Sequence, residues 1–393
     1  TPLKLTCSLF WLKTMEDNIS TFFSLLLSTI FKTEAAVSSQ LLSNPKTRHT
    51  FSVEFFFIRE FLYLLCIQDI HVYMDIKSNK RDFRANKLKI GTRGSPLALA
   101  QALEVKREIT NHHNLDDKSI EIITISTKGD RILDRPLTEI GGKGLFTEEI
   151  EEKLYNHEID IAVHSMKDMP TEFPNGLGIN TFLKREDFRD SFVSLKYNSI
   201  NELPNGAVVG SSSIRRKAQL LSIRSDLKVV EFRGNVQTRL DKLKNGIADA
   251  TFLACAGLLR LGMEDLVNPI SPKRMMPAVA QGIIGIEQRL SDNDITDLIS
   301  PLNHNETMLQ VLTERSFLKV LDGSCRTPIG SISKIDGKKI YLSGQVLRPD
   351  GSEIISGNWE GTVDNPIDLG TMAGNEIKEK IDDSFFKKED LSY

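Results

Sequence analysis

Residues 159–170 read IDIAVHSMKDMP, an apolar run that ends in a cluster of groups able to hydrogen-bond, carry charge or move protons. Ile159, Ile161 and Val163 alternate with Asp160 and Ala162, which predicts a strand. His164, Ser165, Lys167 and Asp168 then crowd the turn before Pro170. In open α/β sheets, ligands bind outside the carboxyl ends of strands, so a carboxylate beside an ammonium at such an end marks a candidate site. A solvated Lys-Asp ion pair in a loop is the plainer reading, and this stretch alone leaves both open.

The same rhythm runs outward on both sides. LKIGTR (88–93) is a short strand, and Ser95-Pro96 supplies a capping hydroxyl and a first-turn proline for the helix LALAQALEVKREI. Arg93 and Ser95 therefore lie between strand and helix. IEIITIST (120–127) is the next strand, ending in Lys128-Gly129-Asp130-Arg131. Gly141-Gly142-Lys143-Gly144 leads into the amphipathic LFTEEIEEKLYN, whose start exposes N–H groups beside a lysine. This is not a Walker A loop, because Leu137 stands at the first glycine position and Gly144 where Ser or Thr would hold magnesium.

Beyond the opening stretch, Asp190–Leu195 and the turn at Pro204–Gly206 mark a crossing into a second unit. AVVGSSSIRRKAQLL (207–221) places Arg215 and Arg216 in the first turn of a helix. Cations there oppose the helix dipole by roughly 0.3 to 1 kcal/mol each, so the pair makes sense if an anion sits between them and the helix N-terminus, with two solvated arginines as the plainer alternative. KVVEFRGN and VQTRLDKLKNG repeat the plan, with Arg233 at a strand end and Arg239 in a helix. ADATFLACAGLLRLG adds a buried strand and helix with Cys255 in the core and Arg260 near the end. AVAQGIIGIE (278–287) reads as a strand returning through the site, with Gln281 exposed at a tight turn. A last unit carries the helix ETMLQVLTERSFLKVL and the loop Asp322-Gly323-Ser324-Cys325. Strands around KKIYLSGQVL and SEIISGNWEGT, joined at Asp350-Gly351, and a helix near 375–381 follow.

The 393 residues, 26% charged and 40% hydrophobic, suit a globular chain of two or three domains. A formal net charge of −3 excludes a global basic field for nucleic acid, and the cationic segments lack interleaved aromatics. Cys7, Cys66, Cys255 and Cys325 are widely spaced, with no CxxC pair and no metal-ligand spacing to histidine. No metal or disulfide framework is expected, and the compartment is expected to be reducing, hence cytoplasmic. Residues 1–86 differ from the rest. Their Phe- and Leu-rich runs at 22–31 and 55–67 are too short or too interrupted to span a bilayer. Glu16 and Asp17 stand where a signal peptide needs basic residues. The segment reads as an over-extended reading frame or a poorly ordered tail, since the chain starts at Thr1 and Met74 lies just before the α/β pattern.

Arg93, Lys143, Lys167, Arg215, Arg216, Arg233, Arg239 and Arg260 mostly occupy strand ends or helix starts, a set suited to a substrate carrying several carboxylates. Asp168 is then the carboxylate amid cations, placed to stabilise a cationic intermediate or exchange a proton. The segments GTRGSPLALAQ, GGKGLFTEE, DIAVHSMKDMP, VGSSSIRRKAQL, FRGNVQTRL, AVAQGIIGIE and ERSFLKVLDGSCRTPIGS carry a specific resemblance. From about Lys87 to the C-terminus the chain resembles the porphobilinogen deaminase (hydroxymethylbilane synthase) family.

The resemblance implies two periplasmic-binding-protein-like α/β domains around a cleft plus a small C-terminal α+β domain. These are expected at 87–187 with a return segment at 284–302, at 188–283 and at 303–393. It implies a transferase that condenses four porphobilinogen molecules head to tail on a covalent dipyrromethane cofactor, releasing ammonia, in tetrapyrrole biosynthesis. Cys325 matches the thioether anchor and Asp168 the catalytic carboxylate. Lys143, Ser165, Lys167, Ser213, Arg215 and Arg216 match cofactor-binding positions, and Arg93, Ser95, Arg233, Arg239, Arg260 and Gln281 match substrate-binding ones. A monomer without membrane or nucleic-acid partners is expected. Glu139 departs from the pattern, standing four residues before Lys143 where some relatives carry a lysine. The competing class is a non-enzymatic α/β binder of a polycarboxylate anion, which would need neither Asp168 in a cationic cleft nor Cys325 on a separate domain.

Overall fold

The computed structural model describes residues 81, 83, 87–131, 144–321, 327–382 and 385. The expectations for residues 1–80, Glu139, Lys143 and Cys325 lie outside them.

Three sheets organise the described chain. The first has the order β2-β1-β3-β9-β4, with β1 Leu88–Arg93, β2 Ile120–Ile125, β3 Ile161–Ser165, β4 Leu177–Phe182 and β9 Ile284–Arg289. β1 is parallel to β2 and β3, whereas β9 returns antiparallel between β3 and β4. The second has the order β5-β8-β6-β7, from β5 Asp190–Ser194, β6 Val208–Gly210, β7 Lys228–Val230 and β8 Ala250–Ala254. The third is the antiparallel set β10 Ile329–Asp336, β11 Lys339–Leu347 and β12 Ile354–Thr362. The architecture is two α/β domains plus a small α+β domain.

Helices α1 Pro96–His113, α2 Lys128–Arg131 and α3 Glu148–Tyr155 serve the first sheet, and α4 Ile214–Ile223, α5 Val236–Lys244 and α6 Cys255–Arg260 the second. α7 Asn293–Ile299 follows β9, and α8 Asn305–Val320 and α9 Pro366–Lys378 cover the third sheet. Local chemistry starts them where the sequence indicates. Ser95 Oγ accepts from the Ala98 N–H at 3.3 Å ahead of Pro96, and Asn235 Oδ1 accepts from Thr238 N–H at 2.9 Å to begin α5.

The strand at the centre of the argument departs from simple alternation. Every residue of β3 except Ser165 is buried, because β1 and β9 flank it and helices cover the sheet. Asp160, just before it, faces no solvent: it ion-pairs with Arg81 and accepts the Lys89 N–H at 2.8 Å.

The C-terminal unit also differs. Its last helix spans Pro366–Lys378 instead of 375–381. Gly370 and Gly374 are contact points: a Cβ at Gly370 would sit 2.2 Å from the Thr313 carbonyl oxygen on α8. β10 goes unread in the sequence because its inward positions include Ser331 and Ser333. Ser333 instead pairs with buried Glu314 through its N–H and Oγ, both at 2.8 Å. Glu314 also receives Arg185 at 2.6 Å and the Ala280 N–H at 2.8 Å, so one carboxylate ties α8 to both crossing segments.

Candidate active site

The turn after β3 is a single 3-10 turn, Met166–Asp168. Met166 anchors it: its N–H donates to the Ile283 carbonyl at 3.0 Å, and its side chain fills the space that a Cβ at Gly285 would need. Asp168 is the exposed residue of the turn, and among the described residues no side chain hydrogen-bonds or ion-pairs with it.

Around this carboxylate the second domain gathers cations. Burial holds the Lys167 ammonium below the ordinary lysine range; Asp168 and Asp190 oppose that shift, while Arg216 and Arg215 reinforce it. Burial likewise brings the Arg239 guanidinium down to about 10, with Arg216 and Arg233 adding to the effect and Glu231 and Asp168 resisting it. Asp168, Lys167, Arg215, Arg216, Arg233 and Arg239 thus share one electrostatic neighbourhood.

The anion at the start of α4 is internal. Asp190, fully buried at the start of β5, takes Arg215 Nη1 at 2.8 Å and Arg216 Nη2 at 2.6 Å. It also accepts from Gln281 Nε2 at 3.1 Å. Burial alone would raise the Asp190 pKa; the two guanidinium groups overcome this and hold it well below the usual carboxylate range. The sequence offers a signal for it only in hindsight, as a lone acid opening a strand after a crossing segment.

That pairing sorts the arginines. Arg216 uses Nε and Nη2 on Asp190 and Nη1 on the Phe252 carbonyl, so it acts as a fixed positive charge. Arg215 uses Nη1 on Asp190 and on the Met276 carbonyl. Among the described residues Arg239 uses only Nε, on the Gly234 carbonyl. Among the described residues, donors of Arg215, Arg239 and Lys167 therefore remain for a ligand, a donor set that fits carboxylates. Ser213 caps α4, accepting the Arg216 N–H at 3.4 Å.

Other expected site residues have different partners. Arg93 ion-pairs with Asp130 and stacks 4.1 Å from the Phe146 ring centroid. Ser165 Oγ exchanges hydrogen bonds with the Gln101 amide, 2.8 Å from its Nε2. Arg260 donates to Glu104 on α1 at 2.9 Å and to the Gly282 carbonyl at 3.2 Å, joining the two α/β domains. Gln281 corrects an expectation: it is 1% exposed, because its amide turns inward to the Phe188 carbonyl and Asp190. The turn itself is real, with φ of +56° at Ala280 and +89° at Gly282. His164 is likewise interior, 2.9 Å from Glu287. Cys255 is buried and free, and burial pushes its thiol up to about 12, so it is a core residue.

A carboxylate just after a strand end in a cationic neighbourhood of an α/β fold is an arrangement suited to an enzyme acting on anions. The family model "Porphobilinogen deaminase, dipyromethane cofactor binding domain" matches residues 88–297, and "Porphobilinogen deaminase, C-terminal domain" matches 308–379. A porphobilinogen deaminase from Paracoccus denitrificans (strain Pd 1222) is 53% identical over 302 residues, covering 77% of this chain and 96% of that protein. The chain belongs to the porphobilinogen deaminase family.

Among solved structures, a probable amino-acid ABC transporter extracellular-binding protein from Bacillus subtilis has a TM-score of 0.34 at 13% identity, covering 55% of this chain and 90% of that one. An ABC transporter periplasmic substrate-binding protein from Coxiella burnetii has a TM-score of 0.33 at 17% identity, covering 58% and 96%.

Proposed function

We propose that Asp168 is the catalytic carboxylate and Cys325 the attachment point of the dipyrromethane cofactor, within the family's deaminative condensation of porphobilinogen to hydroxymethylbilane. The observation that carries this reading is the exposed Asp168, without a side-chain partner among the described residues, in one electrostatic neighbourhood with Lys167, Arg239 and the Asp190-bound arginine pair. Both cofactor and substrate bear carboxylate side chains, and the unengaged donors of Arg215, Arg239 and Lys167 suit them. When bound, the cofactor supplies the pyrrole carbon on which chain growth starts.

The residues of the chain do the rest. Lys167, Arg215 and Arg239 bind and orient carboxylates, with Arg216 contributing field and Arg233, Arg93, Ser95, Ser165, Ser213, Arg260 and Lys143 assigned to the same anion-binding role. For Arg93 and Arg260 that role requires exchanging a ligand carboxylate for Asp130 and Glu104. Gln281 acts through Asp190. Asp168 lies where positive charge develops as the amine departs, and it can take or return a proton there.

We assign 87–187 with 284–302, 188–283 and 303–393 as the three domains. The cytoplasm is the compartment in which a thiol such as Cys325 stays reduced before attachment. We assign a monomer as the working unit, without a nucleic-acid or membrane partner. No described helix is long and apolar enough to cross a membrane. Intact mass tests the assignment: Cys325→Ser should lose the two-pyrrole adduct and activity, whereas Cys255→Ser keeps both. An adduct retained in Cys325→Ser would overturn it.

A further inference from the structure

Arg315 lies on α8, in the C-terminal unit, ten positions before Cys325. Its Nη1 donates to the Met169 carbonyl at 3.2 Å and the Met166 carbonyl at 3.5 Å, and its Nη2 donates to the Pro170 carbonyl. Its guanidinium carbon is 5.5 Å from the centroid of the Phe173 ring. No carboxylate among the described residues pairs with it, and burial brings it down to about 10. A buried guanidinium normally faces an acid, and this one faces three backbone carbonyls that bracket Lys167 and Asp168.

The start of that turn is fixed from the first domain by Met166. Its far end has one internal bond, from the Met169 N–H to the Met166 carbonyl at 3.3 Å. Arg315 supplies the remaining donors. Its planar fork can meet several carbonyls at fixed angles, which a lysine cannot reproduce.

We propose that Arg315 is a positioning residue: by clamping the carbonyls of 166–170, it sets where Asp168 stands relative to the cofactor cysteine carried ten residues further along the same chain segment. This rests on the reading of Asp168 as the catalytic carboxylate. The two groups that must meet come from different domains, and Arg315 is a direct bond between the segments bearing them. A displacement of about 1 Å at a reacting group costs on the order of 10²-fold in rate.

The test uses holoenzyme of Arg315→Met and Arg315→Lys, with cofactor loading checked by intact mass. In Arg315→Met, kcat should fall about 10- to 100-fold with KM changed by less than about 3-fold, and Arg315→Lys should recover only part of the loss. The amides of Lys167, Asp168, Met169 and Thr171 should exchange faster in both variants, a readout that survives poor cofactor loading. Unchanged kcat with unchanged exchange overturns the proposal. A raised KM at constant kcat also overturns it, by making Arg315 a ligand-binding residue. Asp168→Asn is measured alongside: if it is inactive while Arg315→Met is fully active, only the positioning role fails. A fully active Asp168→Asn removes the catalytic reading and this inference together.

Discussion

Replacing Asp190 by Asn keeps the shape of the side chain and removes the buried negative charge that two guanidinium groups share. The carboxylate accepts from Arg215 at 2.8 Å and from Arg216 at 2.6 and 3.2 Å. Each such charge-assisted bond contributes about 1.5 to 3 kcal/mol, but Asn retains one acceptor oxygen. The larger effect is two arginines left buried against each other, and breaking a buried pair in this way costs roughly 3 to 5 kcal/mol. That is a large share of the about 5 to 15 kcal/mol that holds a typical protein folded. Because several domains need not unfold together, the assay is hydrogen exchange resolved onto β5 and β8, which reports the opening free energy of this sheet.

The pH dependence has a definite sign. Asp190 is depressed in the fold, so its contribution is complete above the unfolded carboxylate value of about 3.9 and is lost only as pH falls through the lower folded value. The gap between wild type and variant should therefore hold from about pH 5 to about pH 9 and close only in stronger acid. A gap under about 1 kcal/mol at neutral pH would refute the argument that Asp190 neutralises the pair.

Asp168→Asn should lower kcat on the order of 10²- to 10³-fold without loss of cofactor mass, and steady-state kinetics with only a few-fold change would contradict its electrostatic role. Lys167 is held below the ordinary lysine range, so substrate affinity should decline with rising pH before an ordinary lysine titrates. A KM profile flat to about pH 10.4 would show that its charge is not used. Gly351→Ala should destabilise the C-terminal unit by about 1 to 3 kcal/mol, because φ is +79° and the new Cβ would sit 2.5 Å from the Ala218 carbonyl oxygen on α4. Denaturation followed by Trp359 fluorescence checks this.

Much of the α/β alternation was legible because strand ends, capping serines and first-turn prolines are local signals. Ser95-Pro96 acts where it reads. The site was legible as a set of residue types, and Asp168, Lys167 and Arg239 do share one neighbourhood. What stayed hidden is partner choice. Nothing local in Arg93, Arg216 or Arg260 says that Asp130, Asp190 and Glu104 engage them, since those acids lie 26 to 156 positions away. Gln281 misread for the same reason: its turn is local, but the direction of its amide is set by Asp190. Arg315 was masked inside an ordinary helical pattern.

The return of β9 between β3 and β4 also sets an order of events on the ribosome. Among the described strands β4 has β9 as its only sheet neighbour, so the first sheet cannot close until residues 284–289 have emerged, about a hundred positions after Phe182. At about 5 to 20 residues per second the nascent first domain waits roughly 5 to 20 s with β3 and β4 unjoined. The second sheet, drawn from the continuous stretch Asp190–Ala254, has all its strands earlier. The later-synthesised domain is therefore the first that can be completed, and nascent chains stalled before residue 284 should show protection of β5 and β8 without protection of β4.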